Sequence, residues 1–167
     1  IVGCSVAYHL TKLGLNDVVL FERKQLTCGT TWHAAGLVGQ LRASKNMTRL
    51  AQYSTELFAN LAAETGQETG YQPTGSMTLA LNAERLEELK RQATMANAFD
   101  VACELVGPDF VQERWPGIDT SDVHGGVYLP GDGQTNPVDT TLALAKGARN
   151  ASAKIFENTP VQRLAIE

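Results

Sequence analysis

The 167-residue sequence predicts an α/β protein that opens with a helix and strand of nucleotide-binding type and continues into antiparallel strands. Three observations carry this. Apolar residues recur at helical spacing over the first fourteen positions. The run Asp17-Val18-Val19-Leu20-Phe21-Glu22 is short, apolar and closed by an acid, as a buried parallel strand would be. Farther on, Ser76-Met77-Thr78-Leu79-Ala80-Leu81 alternates like a strand with one covered face.

Val2, Val6, Leu10 and Leu13 form the expected inward stripe of the opening helix, and Gly14 is a natural C-cap. Gly3 fits the third glycine of a G-x-G-x-x-G turn, the one that lets helix and strand pack closely. On that reading the first strand and two glycines would precede the sequence, which is then a fragment. A free-standing helical start with Gly3 incidental fits the same residues. An acid at the end of the following strand, here Glu22, can accept hydrogen bonds from the ribose hydroxyls of a dinucleotide.

A Thr- and Gly-rich loop, Lys24 to Thr31, comes next, and Thr27, Gly29, Thr30 and Thr31 offer hydroxyl and backbone N–H groups to a pyrophosphate. Threonine-rich loops also simply turn. The clearest helix spans residues 44 to 65, with Met47, Leu50, Ala51, Ser54, Leu57, Phe58 and Leu61 in one stripe, opened by Ser44 and stopped by Gly66. After strand 76–81, Glu84 to Phe99 forms a helix with Leu86, Leu89, Ala93 and Ala96 inward. Gly107-Pro108 punctuates, a short helix precedes Trp115-Pro116-Gly117, and Val127-Tyr128-Leu129 reads as a strand. Asn136 caps a further helix with Pro137 at its first position and Asp139 near its start, and Val138, Leu142 and Ala145 are expected to face the sheet. Lys154-Ile155-Phe156 and Val161-Gln162-Arg163-Leu164 finish as strands.

Composition narrows the function. The net charge is −4 and no segment gathers lysine and arginine, so nucleic acid is not an expected partner. No apolar run approaches the roughly 20 residues of a membrane span. Cys4, Cys28 and Cys103 are odd in number and scattered, which fits reduced thiols in a cytosol or matrix better than a disulfide framework. His9, His33 and His124 lack metal-ligand spacing.

From Gly3 onward, Glu22-Arg23, Thr27-Cys28-Gly29-Thr30-Thr31-Trp32-His33-Ala34-Ala35-Gly36-Leu37, Gln40-Leu41-Arg42, Glu64-Thr65-Gly66 and Pro130-Gly131-Asp132-Gly133 occur in the order found in dimethylglycine and sarcosine dehydrogenases. The sequence resembles that flavoprotein family over nearly its whole length. One departure is Gln134-Thr135-Asn136-Pro137, where relatives usually carry Asp before the proline; Asn caps a helix equally well.

The resemblance implies a Rossmann-like FAD-binding domain, of the glutathione-reductase-like, D-amino-acid-oxidase type, over 1–70. Part of an antiparallel substrate domain would follow over 71–135, with a return to the FAD domain over 136–167. It implies an oxidoreductase removing hydride from the N-methyl group of sarcosine or dimethylglycine and passing electrons to an acceptor such as an electron-transfer flavoprotein. Tetrahydrofolate is a possible second cofactor of the full-length protein. Its setting would be the mitochondrial matrix in a eukaryote or the cytoplasm in a bacterium.

The site residues follow from the same resemblance. His33 carries FAD covalently, since a neutral imidazole is nucleophilic and an oxidised flavin is electrophilic at its C8 methyl. Ala35, Gly36 and Leu37 border the ring; Gly3, Glu22, Arg23, Gly29, Thr30 and Thr31 hold the nucleotide; Val161 touches adenine with its backbone. Arg23 solvated and Val161 in ordinary strand packing are the plain alternatives, as is a core role for Trp32. Arg42, the one cation soon after the block, is the catalytic candidate, steering a substrate carboxylate. Asp132 is read as shaping the Gly-Asp-Gly turn. Two other classes remain open: a non-catalytic regulatory subunit like that of pyruvate dehydrogenase phosphatase, and an NAD(P)-dependent dehydrogenase.

Overall fold

The computed structural model describes residues 1–165. In chain order they form α1 (Val2–Lys12), β1 (Val19–Phe21), a 3-10 turn (Thr31–His33), β2 (Leu37–Val38), α2 (Lys45–Thr65), β3 (Ser76–Ala80) and α3 (Ala83–Ala98). Then come β4 (Glu104–Val106), α4 (Pro108–Arg114), β5 (Gly125–Leu129), β6 (Gly133–Gln134), α5 (Pro137–Asn150) and β7 (Lys154–Phe156). β2 pairs with β6. The chain divides into two compact units: Ile1–Leu37, Glu56–Gln72 and Gln134 onward make the first, Val38–Thr55 and Pro73–Gly133 the second. Residues 38–55 thus join the second unit, together with most of 71–135.

In the first unit, β1 pairs in parallel with β7, Val19 opposite Lys154 and Phe21 opposite Phe156. α1 packs on α5, and both lie against this pair. The core is built of small residues, Cys4, Ala7, Ala143, Ala145, Ala148 and Ala153, around Tyr8, Val18, Leu57, Leu61 and Leu144. That composition corrects the expected face of α1. Cys4, Ala7, Tyr8 and Thr11 are buried, whereas Val2 is 74% and Leu13 80% exposed. The bulkier stripe has the right period, but α1 meets the alanine-rich face of α5 through its small side chains. β1 is parallel as expected and yet not buried, since Val19 and Phe21 are exposed and Phe21 stacks on Phe156 at 5.7 Å. Residues 161–164, expected as a strand, form no strand among the described residues.

The second unit is a three-stranded antiparallel sheet, β3-β5-β4, with Ser76 opposite Leu129 and Leu105 opposite Val127. The central β5 is buried throughout. Against it α3 lays Leu89, Ala93 and Ala96, with Leu86 partly buried beside them, the face read from sequence. Asn82 caps α3, accepting the Arg85 N–H at 2.8 Å.

Ser44 does open α2, accepting the Met47 N–H at 3.4 Å. Its expected stripe is wrong in the first half, where Met47 and Leu50 are exposed and Thr48 and Thr55 are buried. Both threonines satisfy their hydroxyls on main-chain carbonyls, which makes burial inexpensive. On α5, Asn136 accepts from the N–H groups of Val138 and Asp139 at 3.0 and 3.3 Å, as the cap reading required. Ala145 is buried, and Val138 and Leu142 are half-buried.

Candidate functional site

The first unit holds a half-open cleft of about 380 Å³. Its walls are the start of α1 with Ile1, Gly3 and Cys4, the end of β1 with Glu22 and Arg23, the loop 24–31, and Thr141 of α5. Of the residues expected to hold a nucleotide, Gly3, Glu22, Arg23, Gly29, Thr30 and Thr31 come together here.

Each wall has a local cause. At Gly3 the helix approaches the strand: a Cβ there would stand 3.3 Å from Leu20 Cδ1. α1 carries no acid in its first turn, and its first-turn N–H groups and the positive end of its dipole border the cleft. Glu22 closes the opposite side. Its N–H donates to Phe156 O and its carbonyl accepts from the Thr159 N–H, both at 2.9 Å. Its Oε1 accepts the Lys24 N–H at 2.9 Å. The loop is tied down by the segment after β7: Leu26 N–H donates to Glu157 Oε2 at 2.9 Å, and Asn158 N–H to Lys24 O at 2.6 Å. Thr27 takes a positive φ of 71° where the loop turns back.

Positive helix end and loop donors on one side and a carboxylate on the other suit a ligand with both phosphate and ribose hydroxyls. FAD carries both, so the donor set fits its nucleotide half.

His33, Ala35, Gly36, Leu37 and Val161 lie outside this cleft. His33 ends the 3-10 turn, exposed, its ring centroid 3.9 Å from that of Trp32 at an interplanar angle of 64°. Gly36 has a strict steric cause. Its φ is 78°, and a Cβ would fall 2.1 Å from the Thr135 carbonyl oxygen. Its own carbonyl accepts the Thr135 N–H at 2.8 Å, so the turn after the histidine is locked to the segment leading into α5. Val161 is exposed.

Arg42 belongs to the second unit. Its main chain is clamped by the buried Thr48, whose hydroxyl accepts the Arg42 N–H at 3.1 Å and donates to the Arg42 carbonyl at 3.2 Å. Its guanidinium is exposed, with Nη1 donating to Leu41 O at 2.9 Å.

Sequence reasoning missed Cys4, Thr141 and Glu157. Cys4 is 3% exposed, and burial pushes its thiol up from the ordinary value. Its adjacency to Gly3 was an available signal. Glu157 sits 131 residues from the loop it holds, and no local pattern marks it. Among the described residues, no group of three or more His, Cys, Asp or Glu could hold a metal ion, and no helix is long and apolar enough to cross a membrane.

The family model described as "FAD dependent oxidoreductase" matches residues 1–167. The chain is 40% identical to mitochondrial dimethylglycine dehydrogenase of Homo sapiens over 163 residues, 98% of this chain and 19% of that protein. It is 37% identical to human mitochondrial sarcosine dehydrogenase over 165 residues, 98% of this chain and 18% of that one. It therefore spans about a fifth of the length of these relatives. Among solved structures, L-proline dehydrogenase from P. horikoshii superposes with a TM-score of 0.91 at 29% identity, covering 99% of this chain and 44% of the other.

Proposed function

The chain belongs to the FAD-dependent oxidoreductase family, and on that premise we propose that it is part of a dehydrogenase oxidising the N-methyl group of sarcosine or dimethylglycine. The observation that carries this reading is the cleft itself: the open start of α1 and the Glu22 carboxylate flank a loop that runs directly into the intact Trp32-His33-Ala34-Ala35-Gly36 block. The first unit then binds the cofactor, and the second, Val38–Thr55 and Pro73–Gly133, belongs to a substrate domain.

In this proposal the first-turn N–H groups of α1 and the loop residues Gly29, Thr30 and Thr31 take the pyrophosphate. Glu22 accepts the ribose hydroxyls, Arg23 lies along the adenosine, and Val161 touches adenine. Ala35, Gly36 and Leu37 border the ring, and Gly36 fixes the turn on which His33 stands. His33 uses one ring nitrogen for a covalent bond to the cofactor. Arg42 takes the substrate carboxylate through charge-assisted hydrogen bonds. Bound FAD would supply the two-electron oxidation of the N-methyl carbon; the iminium so formed would be hydrolysed by water to the demethylated amine and formaldehyde, or give its carbon to tetrahydrofolate. The electrons then pass to an acceptor such as an electron-transfer flavoprotein. The relatives are named as mitochondrial; the proposed setting is the mitochondrial matrix in a eukaryote and the cytoplasm in a bacterium.

The test is a denaturing gel of the acid-precipitated complete protein. The band should fluoresce, and His33→Ala should abolish the fluorescence; a wild-type flavin that washes out refutes the linkage. A non-catalytic regulatory subunit is the weaker reading, because nothing in such a role uses an intact histidine block. Turnover of N-methylglycines decides against it. The NAD(P)-dependent alternative gives way to the family assignment.

A further inference from the structure

The turn bearing Arg42 is held from two directions, and only one of them is explained by backbone packing. Thr48 clamps the Arg42 main chain. From the other side comes Asp132, between β5 and β6 and 7% exposed. Its Oδ1 accepts the Gln40 N–H at 2.8 Å, and its Oδ2 accepts the Ser76 hydroxyl at 2.6 Å. The neighbouring carbonyl of Gly131 accepts the Gln40 side-chain amide at 3.0 Å, and the Asp132 carbonyl accepts the Gly75 N–H at 2.8 Å.

The position of the charge matters beyond these bonds. A Cβ on Gly39 would stand 3.3 Å from Arg42 Nη1 and 3.5 Å from Asp132 Oδ2. Gly39 thus leaves room for the guanidinium on one side and the buried carboxylate on the other, without a direct ion pair between them among the described residues. A buried carboxylate is costly, and an asparagine would serve a mere turn.

We infer that Asp132 is a positioning residue: it fixes the Gly39–Arg42 turn and orients the Arg42 guanidinium toward the carboxylate of the N-methylated substrate. This rests on the proposed role of Arg42. Asp132 touches neither substrate nor cofactor and acts through Arg42 alone.

The test is a double-mutant cycle in the complete flavin-loaded protein, with Asp132→Asn and Arg42→Gln. Asp132→Asn keeps the volume and an acceptor for Gln40 but removes the charge. It should raise KM for the N-methylglycine and the inhibition constant of acetate together by about tenfold, as a displaced Arg42 guanidinium forfeits one charge-assisted hydrogen bond to the carboxylate, with a much smaller effect on kcat. In the Arg42→Gln background the same change should add less than about twofold. Independent, multiplying effects overturn the inference, as does a loss confined to kcat.

If Arg42→Gln leaves KM unchanged, it is the carboxylate role of Arg42 that fails. The hold of Asp132 on the turn is then read by phenylglyoxal labelling followed by peptide mapping. Arg42 should be modified several-fold faster in Asp132→Asn than in wild type, because loosening the Gly39–Arg42 turn frees the guanidinium; an equal rate overturns the hold. Should Asp132→Asn fail to fold, Ser76→Ala removes one of the two partners of the carboxylate and should give a smaller KM rise in the same direction, and no rise overturns the inference.

Discussion

Replacing Gly147 with alanine sets two effects of opposite sign against each other. In the interior of α5 alanine is the better helix former by roughly 0.5 to 1 kcal/mol. Against this, the new Cβ would stand 2.7 Å from Tyr8 Cδ2, 2.8 Å from Tyr8 Cε2 and 3.0 Å from Thr65 Cγ2. Carbon atoms pack best at about 3.5 to 4.0 Å, so the ring or the helix must retreat by close to 1 Å. The ring cannot turn away cheaply. Tyr8 is 3% exposed, its hydroxyl donates to Glu64 Oε2, and the Lys12 ammonium lies 5.0 Å from its centroid. Overpacking of this kind costs roughly 1 to 3 kcal/mol, so the clash wins and Gly147→Ala should destabilise by about 1 to 2 kcal/mol. Because Gly3 and Cys4 of α1 border the cleft, displacing α1 from α5 should also speed cofactor release. Urea denaturation and flavin-release rates of the complete flavoprotein measure both. A variant as stable as wild type, or stabler, refutes the reasoning. So does a penalty that persists in the Tyr8→Ala background, where the obstructing ring is gone.

Two more predictions concern charge. Glu22→Ala should weaken flavin binding at least about tenfold, through the loss of an acceptor for both Lys24 N–H and the proposed ribose hydroxyls; equal flavin occupancy in mutant and wild type would reduce Glu22 to a surface acid. At Glu64, hydrogen bonds from Lys12 and then from Tyr8 hold the carboxyl below its ordinary 4.5. Its stabilisation is therefore complete above that value and disappears as pH falls through the depressed one. Lys12, raised above its ordinary 10.5 chiefly by its bond to Glu64, contributes below 10.5 and loses its effect only at strongly alkaline pH. Both side chains are well exposed, at 47% and 40%, so the Lys12–Glu64 pair is worth about 0.3 to 1 kcal/mol. Glu64→Gln should then be less stable than wild type at pH 7, and the two stability curves should converge as pH falls through the depressed value. A gap of constant size from pH 7 to pH 3 contradicts this.

Most of the elements were legible because their signals are local. The Asn136 cap is set by residues within three positions of the acceptor. The alternation of Ser76 to Ala80 foretells an antiparallel partner. The stripes of α1 and α2 were misread for one shared reason. Hydrophobic periodicity ranks side chains by bulk, whereas α1 meets α5 through Cys4, Ala7 and Tyr8, and α2 buries threonines that satisfy their own hydroxyls. β4 was missed: two of its three residues are exposed and the third half-buried, so it presents no covered face to register.

The same distinction separates the two halves of the site. Glu22 and the loop after it were legible because an acid closing a strand and a threonine-rich turn are contiguous features. Glu157, Thr141 and Asp132 were not, since each acts on residues about a hundred positions away in the chain. Asp132 shows what this costs a reading from sequence. In isolation a Gly-Asp-Gly triplet is a turn, and the aspartate a turn former. Only the pairing of β5 with β3 brings Ser76 to its second oxygen, and only the course of the chain after β2 brings the Gln40 N–H to its first. The residue is the same under both descriptions, but its chemistry is decided by partners that no window along the sequence contains.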